Sequence, residues 1–290
     1  MLPEFSIQWF PGHMQKAKRN IKENVGLVDL IIEVRDARAP LTSANPVLET
    51  LGQNKSKITL LNKADLADQE INRKWQDSSA EMLLFSGKNQ RQIKMLQREL
   101  NKRGQFLKED WLKRNKGLRP YRAMVVGMPN VGKSTIINAL SKSSKAKTGE
   151  RPGVTRGKQW ITLSNNWQLL DTPGVMIPEA LKGDQALFLA LINAVDERLY
   201  DIELAASHFA KWLKENAPLV IEAKYKIQIE DIDDPFAILE EIGRKRGCLL
   251  SGGVIDREKA AFLLLKDFRE GGLGRFSLET PKADEAKDDA

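Results

Sequence analysis

Short apolar runs and amphipathic stretches alternate through the first part of the chain, and the apolar runs end in loops of small and polar residues. Val28–Val34, Lys57–Leu61, Met82–Phe85 and Tyr121–Val126 have the length and composition of buried strands. Trp160–Leu163 and Trp167–Leu170, joined by Ser164-Asn165-Asn166, read as a hairpin ending at Asp171. The stretch after Lys88 to about Gly117 reads mostly as helix, and Ser134–Leu140 as another. Strands alternating with helices predict an α/β domain with a mostly parallel sheet, covered on both faces.

From about Met176 the period changes. Ile202, Ala205, Phe209, Trp212 and Leu213 follow helical spacing, with Pro218 beyond the end. Phe236, Leu239 and Ile242 do the same and are closed by Gly247. Asp256 has the place of an N-cap for a stripe of Ala261, Leu264, Leu265 and Phe268, with Gly271-Gly272 as the stop. The expected division is an α/β domain over 1–175, a small all-helical domain over 176–280, and a polar, disordered tail over 281–290. No internal repeat is visible.

Composition narrows the function classes. Hydrophobic residues make up 41% and charged residues 29% of the 290, ordinary for a globular protein. No apolar run reaches the roughly 18 residues needed to span a bilayer. The opening Met1-Leu-Pro-Glu-Phe-Ser lacks the basic and apolar blocks of a secretory leader, and a lone Cys248 excludes an internal disulfide or a cysteine zinc cluster. A cytoplasmic setting is expected. The net charge of +7 is unevenly spread. Between Lys88 and Arg122 a run of lysines and arginines faces only Glu99, Glu109 and Asp110, and Lys16, Lys18, Arg19 and Lys22 form a second cluster. Each cluster alone fits a solvated helical face as well as a polyanion site; two together favour RNA.

Three motifs carry chemistry. Gly127-Met-Pro-Asn130-Val131-Gly132-Lys133-Ser134 matches the phosphate-loop pattern GxxxxGK[ST] in full, between an apolar strand and a helix that continues with Thr135. Backbone N–H groups of such a loop wrap phosphates, Lys133 reaches the outer ones, and Ser134 ligates Mg²⁺. Asn62-Lys63-Ala64-Asp65 matches NKxD after a strand. Its carboxylate can accept from guanine N1–H and the 2-amino group, donors that adenine does not offer there. Ser86-Gly87-Lys88 resembles the SAK element that supports the base, with Gly in place of Ala. Asp171-Thr-Pro-Gly174 matches DxxG: Asp171 would hold Mg²⁺ through water, and the Gly174 N–H would meet the γ-phosphate. Thr155, between the last two motifs, is the candidate switch threonine for Mg²⁺. GTP and GDP are the ligands implied. The order is base, base support, phosphate loop, switch I, switch II.

That order, with Phe10-Pro11-Gly12-His13-Met14 and Asp36-Ala37-Arg38-Ala39-Pro40, is similar to the circularly permuted P-loop GTPases. The resemblance is strongest to the ribosome biogenesis GTPase A family and extends from about Gln8 to Glu279. It implies a cytoplasmic GTPase that assists a late step of large-subunit (50S) assembly and whose helical C-terminal domain contacts ribosomal RNA; a monomer is expected. A zinc-bearing small-subunit relative is disfavoured by the lone Cys248, and a mitochondrial relative by the missing Arg/Ser-rich leader.

Where many GTPases carry a water-orienting glutamine, directly after DxxG, this chain has Val175. The resemblance assigns that role to His13; the sequence alone reads His13 as a helix cap or RNA contact. The resemblance also implies K⁺ beside the phosphates, ligated by Asn130, although Asn serves simply as a loop former too. Intact Lys133, Ser134, Thr155 and Asp171 favour a GTPase, while Val175 favours the alternative, an RNA-binding module with GTP as structural ligand and negligible turnover. His208, in a C-terminal helix, reads as a surface or satisfied, partly buried residue.

Overall fold

β1 (Leu30–Asp36) pairs in parallel with β2 (Ser56–Asn62), which pairs in parallel with β3 (Met82–Leu84). On its other side β1 lies parallel to β4 (Tyr121–Gly127). The hairpin strands follow: β5 (Trp160–Thr162) is antiparallel to β6 (Trp167–Asp171), and β6 is parallel to β4. The six-stranded order is β3-β2-β1-β4-β6-β5. The computed structural model describes residues 2–7, 19, 21–52, 55–143, 160–171 and 181–281.

The central strands are buried on both faces, so they read as continuous apolar runs rather than alternating ones. Ile31, Met124, Val126 and Leu170 meet Ile21, Val28, Val47 and Leu48 in one cluster, and Ala37, Leu61, Ala67 and Trp75 form another. Among the described residues four helices join the strands: α1 (Pro46–Leu51), α2 (Gln69–Asp77), α3 (Gln90–Lys113) and α4 (Lys133–Ser143). Side-chain caps start the first three. Asn45 accepts from the Val47 N–H, Asp68 from Glu70 and Ile71, and Asn89 from Arg91 and Gln92, which satisfies donors the helix leaves orphaned. The fourth starts inside the phosphate loop.

Among the described residues, 2–7 and 181–278 form one unit, and the remainder, with Glu279, the other. The helical unit contains α5 (Gly183–Leu191), α6 (Ile202–Asn216), α7 (Pro218–Tyr225), α8 (Pro235–Arg246) and α9 (Arg257–Glu270). Ala186–Leu191 are buried without a break, so this part of α5 is apolar all round. Arg269 donates to the Ala190 carbonyl at 2.9 Å and the Leu191 carbonyl at 3.2 Å, adding a side-chain donor at the end of α5. Asp256 caps α9 by accepting from the Lys259 N–H, and Gly247 (φ 67°) and Gly271 (φ 81°) end α8 and α9, as the sequence predicts. Pro218 lies beyond α6 and is also the first residue of α7, where its missing N–H costs nothing.

The division differs from the expected one at both chain ends. Residues 2–7 were expected with the sheet, yet Phe5 and Ile7 are buried in the helical unit. The Ile7 N–H donates to the Leu181 carbonyl, the Gly183 N–H donates to the Phe5 carbonyl, and the Phe5 ring meets Tyr200 edge-on. His208, partly buried, bonds the Pro3 carbonyl at 2.8 Å, which matches its expected satisfied role. Glu279 instead joins the sheet unit. No helix among the described residues is long and apolar enough to cross a membrane.

Candidate nucleotide-binding site

The sheet's strand order reverses between β1 and β4: the chain steps outward from β1 to β3 on one side, then restarts at β4 on the other. In a parallel sheet the crevice at the carboxyl ends of two such strands is where ligands bind. The phosphate loop begins at Gly127, the last residue of β4, and the NKxD loop begins at Asn62, the last residue of β2. Asp36 ends β1 between them, in register with Asn62.

Hydrogen bonds join these loops. Asn62 Nδ2 donates to the Val131 carbonyl at 2.7 Å, so the first residue of the base-reading motif holds the phosphate loop. Gly132 sits at φ 99°, and a Cβ there would lie 2.1 Å from Asn62 Nδ2; a side chain is excluded by conformation and by space. A Cβ at Gly127 would meet the Val34 carbonyl oxygen at 2.4 Å. Asn130 takes a left-handed φ of 56°, which asparagine tolerates better than most residues. Lys133 is buried and donates through Nζ to the Met128 carbonyl at 2.8 Å, within its own loop. Ser134 and Thr135 are exposed at the start of α4, where helix N–H groups favour an anion.

The base side is built from two strand ends. The Ala64 N–H donates to the Phe85 carbonyl at 3.1 Å, tying NKxD to the segment that leads into Ser86. Asp65 is partly exposed, with Lys88 Nζ 3.8 Å from its carboxylate. Ser86 is buried, and its carbonyl accepts from the Asn89 N–H where α3 begins. Gly87 faces Thr135: a Cβ there would lie 2.5 Å from Thr135 Cγ2. The glycine that departs from the usual alanine is therefore matched to the residue after Ser134.

Sequence reasoning missed what Asp36 and Arg38 do. Asp36 is fully buried, and Arg38 grips both its oxygens at 2.9 Å while Lys63 Nζ lies 3.0 Å from Oδ2. Burial pushes the Asp36 carboxyl up, but the Arg38 and Lys63 cations outweigh it and hold the group well below the usual carboxylate range. Lys63, at φ 60°, is thereby fixed through its side chain. The Ser43 hydroxyl accepts from the Asp36 N–H, and buried Glu33 pairs with Arg35 and accepts from the Asn45 N–H. Glu279 accepts from the Leu41 and Thr42 N–H groups and from the Thr42 hydroxyl. The available signal was position: Asp36, like Asn62 and Gly127, stands at the carboxyl end of a strand.

His13, Thr155 and Gly174 lie outside the described residues, as does the Asp171 side chain; the Asp171 backbone closes β6 opposite Val125. Among the described residues no His/Cys/Asp/Glu group forms a metal-binding cluster.

A parallel sheet whose switch point joins a phosphate loop to an NKxD loop defines a P-loop GTPase domain, here in permuted order. A family model described as 50S ribosome-binding GTPase matches residues 122–229, so it starts in β4 and leaves Asn62–Asp65 upstream of the matched segment. Ribosome biogenesis GTPase A of Bacillus licheniformis is 40% identical over 287 residues, covering 95% of this chain and 99% of the relative. The protein of that name from Thermotoga maritima is 35% identical, with 95% of each chain covered. The crystal structure of GNP-bound YlqF from T. maritima superposes with a TM-score of 0.65 at 31% identity, covering 92% of this chain and 99% of that one. The chain belongs to the ribosome biogenesis GTPase A family.

Proposed function

We propose that this chain is a GTP-hydrolysing switch that binds the maturing large (50S) ribosomal subunit and assists a late step of its assembly. The observation that carries the nucleotide part is the Asn62–Val131 hydrogen bond, which makes the base-reading loop and the phosphate loop one site. Family membership supports the ribosomal part. In this reading Lys133 bonds the outer phosphates in place of the Met128 carbonyl. Backbone N–H groups of Asn130 to Thr135 cradle them, and Asp65 reads guanine, with Ser86 and Gly87 beside the base. The exposed Ser134 hydroxyl, with Thr155 and Asp171, would hold Mg²⁺, and Asn130 a K⁺ ion. The protein acts as a cytoplasmic monomer. Because Val175 offers no hydrogen bond, His13 orients the attacking water. Gly174 contacts the γ-phosphate, and because DxxG lies only a few residues before the helical unit, hydrolysis loosens that tether.

Hydrolysis measured in potassium and in sodium buffer, alone and with purified large or small subunits, tests this directly. The expected result is stimulation by large subunits and potassium, lost in His13→Ala. Unstimulated, negligible turnover with tight GTP binding would replace the enzyme by an RNA-binding module that uses GTP structurally, the reading Val175 favours.

A further inference from the structure

One face of α3 breaks two rules of helix electrostatics at once. Arg91, Lys94, Arg98 and Lys102 are all exposed and recur at three- and four-residue spacing, so they form a single row about 16 Å long. Like charges at this spacing repel and destabilise a helix. Arg91 and Lys94 also stand near the positive end of the helix dipole, and the first turn contains no acidic residue. The carboxylates of α3 do not relieve the row: Glu99 pairs with Arg103 and Asp110 with Arg114, both off the row, and Glu109 stands about 10 Å along the helix beyond Lys102. Among the described residues none of the four row cations has a carboxylate partner.

The row is also held rigidly. Ile93, Leu96, Leu100, Gly104 and Trp111 are buried on the opposite side of the helix. Trp167 Nε1 donates to the Leu100 carbonyl at 3.1 Å, which ties the unbroken helix to β6 at that point. Gly104 lies under Tyr121, where a Cβ would be 2.9 Å from the ring. Neither contact allows α3 to slide or rotate, so the cations are presented on a fixed, straight edge. Local costs kept in a locked element mark a surface with work to do.

We propose that this row docks on the phosphate backbone of double-stranded RNA. A regular line of lysine and arginine complements a regular line of phosphates, and the released counterions drive the association. Duplex is favoured over single strand because a fixed, straight row matches a regular line of phosphates, and the exposed aromatic of α3, Phe106, stands beyond Lys102 at the end of the row rather than between its cations. The inference rests on the reading of a ribosomal partner and adds to it a defined surface on the sheet unit, separate from the helical one.

The test uses the full chain and a variant with Arg91→Gln, Lys94→Gln, Arg98→Gln and Lys102→Gln, with GDP affinity as the check of folding. Binding to a short labelled RNA duplex is followed across a salt series, and binding to large subunits in parallel. The variant should bind the duplex about tenfold or more weakly, with a salt slope shallower by about 3. Equal affinity and slope in the two proteins overturn the proposal. Loss of subunit binding with unchanged duplex binding overturns it in favour of an acidic protein partner. A wild-type chain that binds neither duplex nor large subunits overturns the ribosomal reading itself.

Discussion

Gly87 and Thr135 are fitted to each other across the site: the space a side chain would fill at Gly87 is held by the Thr135 Cγ2 methyl, 2.5 Å from an ideal Cβ. One belongs to the loop beside the base and the other to the helix that follows the phosphate loop. Threonine is branched at Cβ and its χ1 is stiff, so the methyl yields only by rotating the whole side chain. The departure from the usual alanine at this position is thus matched by the packing of the threonine.

Gly87→Ala should therefore weaken GDP binding by overpacking, about 1–3 kcal/mol, or roughly fivefold to 150-fold. Thr135→Ser removes the methyl and keeps the hydroxyl, so it should cost little alone and restore affinity in the Gly87→Ala background. A double-mutant cycle by calorimetric titration reads the coupling, expected above about 1 kcal/mol. Additive effects would show that the two residues act independently.

Asp36→Asn should destabilise the fold by about 3–5 kcal/mol, because it leaves the buried Arg38 guanidinium uncompensated. The pH dependence has a definite sign. Asp36 is held below its unfolded value, so its stabilisation is full above the ordinary carboxylate range and fades as pH falls below about 4. Denaturant unfolding of both proteins should show a constant gap from neutral pH down to about 5 and a narrowing gap below 4. A gap that is flat to the lowest pH would mean that folding does not lower the pKa of Asp36.

What the sequence made legible was local. The central strands are apolar throughout because both faces are covered, and each ends at a motif residue, so strands and motifs located each other. The caps at Asp256 and Gly247 were equally readable, since a cap acts within one turn. Helix α5 gave no signal of its own: burial on every side erases the period that marks a helix. α1, with six residues, is too short to show one. The pairings that make the site a unit, Asn62 with Val131, Lys63 with Asp36 and Gly87 with Thr135, join distant segments, and nothing in the intervening chain encodes the distance.

Gly132→Ala tests whether the Asn62 contact matters for binding rather than only for folding. The new methyl must displace Asn62 Nδ2, and the backbone must hold a φ of 99° that alanine resists. The ligand-free protein should melt somewhat lower, while the thermal shift produced by GDP should vanish. An undiminished shift would mean that the phosphate loop binds without the Asn62 tether, and the observation carrying the nucleotide reading would be lost.

Asp65 offers the sharpest test of the base assignment, because its chemistry can be inverted. A carboxylate accepts from guanine N1–H and the 2-amino group, charge-assisted bonds contributing about 1.5–3 kcal/mol each. Xanthine carries a carbonyl where guanine carries that amino group. A carboxamide at this position can donate to the carbonyl and still accept from N1–H. Asp65→Asn should thus cost GTP at least tenfold in affinity and raise the affinity for xanthosine triphosphate, with the fold unaffected because Asp65 is partly exposed and its one near cation, Lys88, is largely in solvent. Competition between the two nucleotides in the D65N variant gives both numbers in one titration. If GTP binding is unchanged, Asp65 does not read the base, and the permuted motif order is left without its first member.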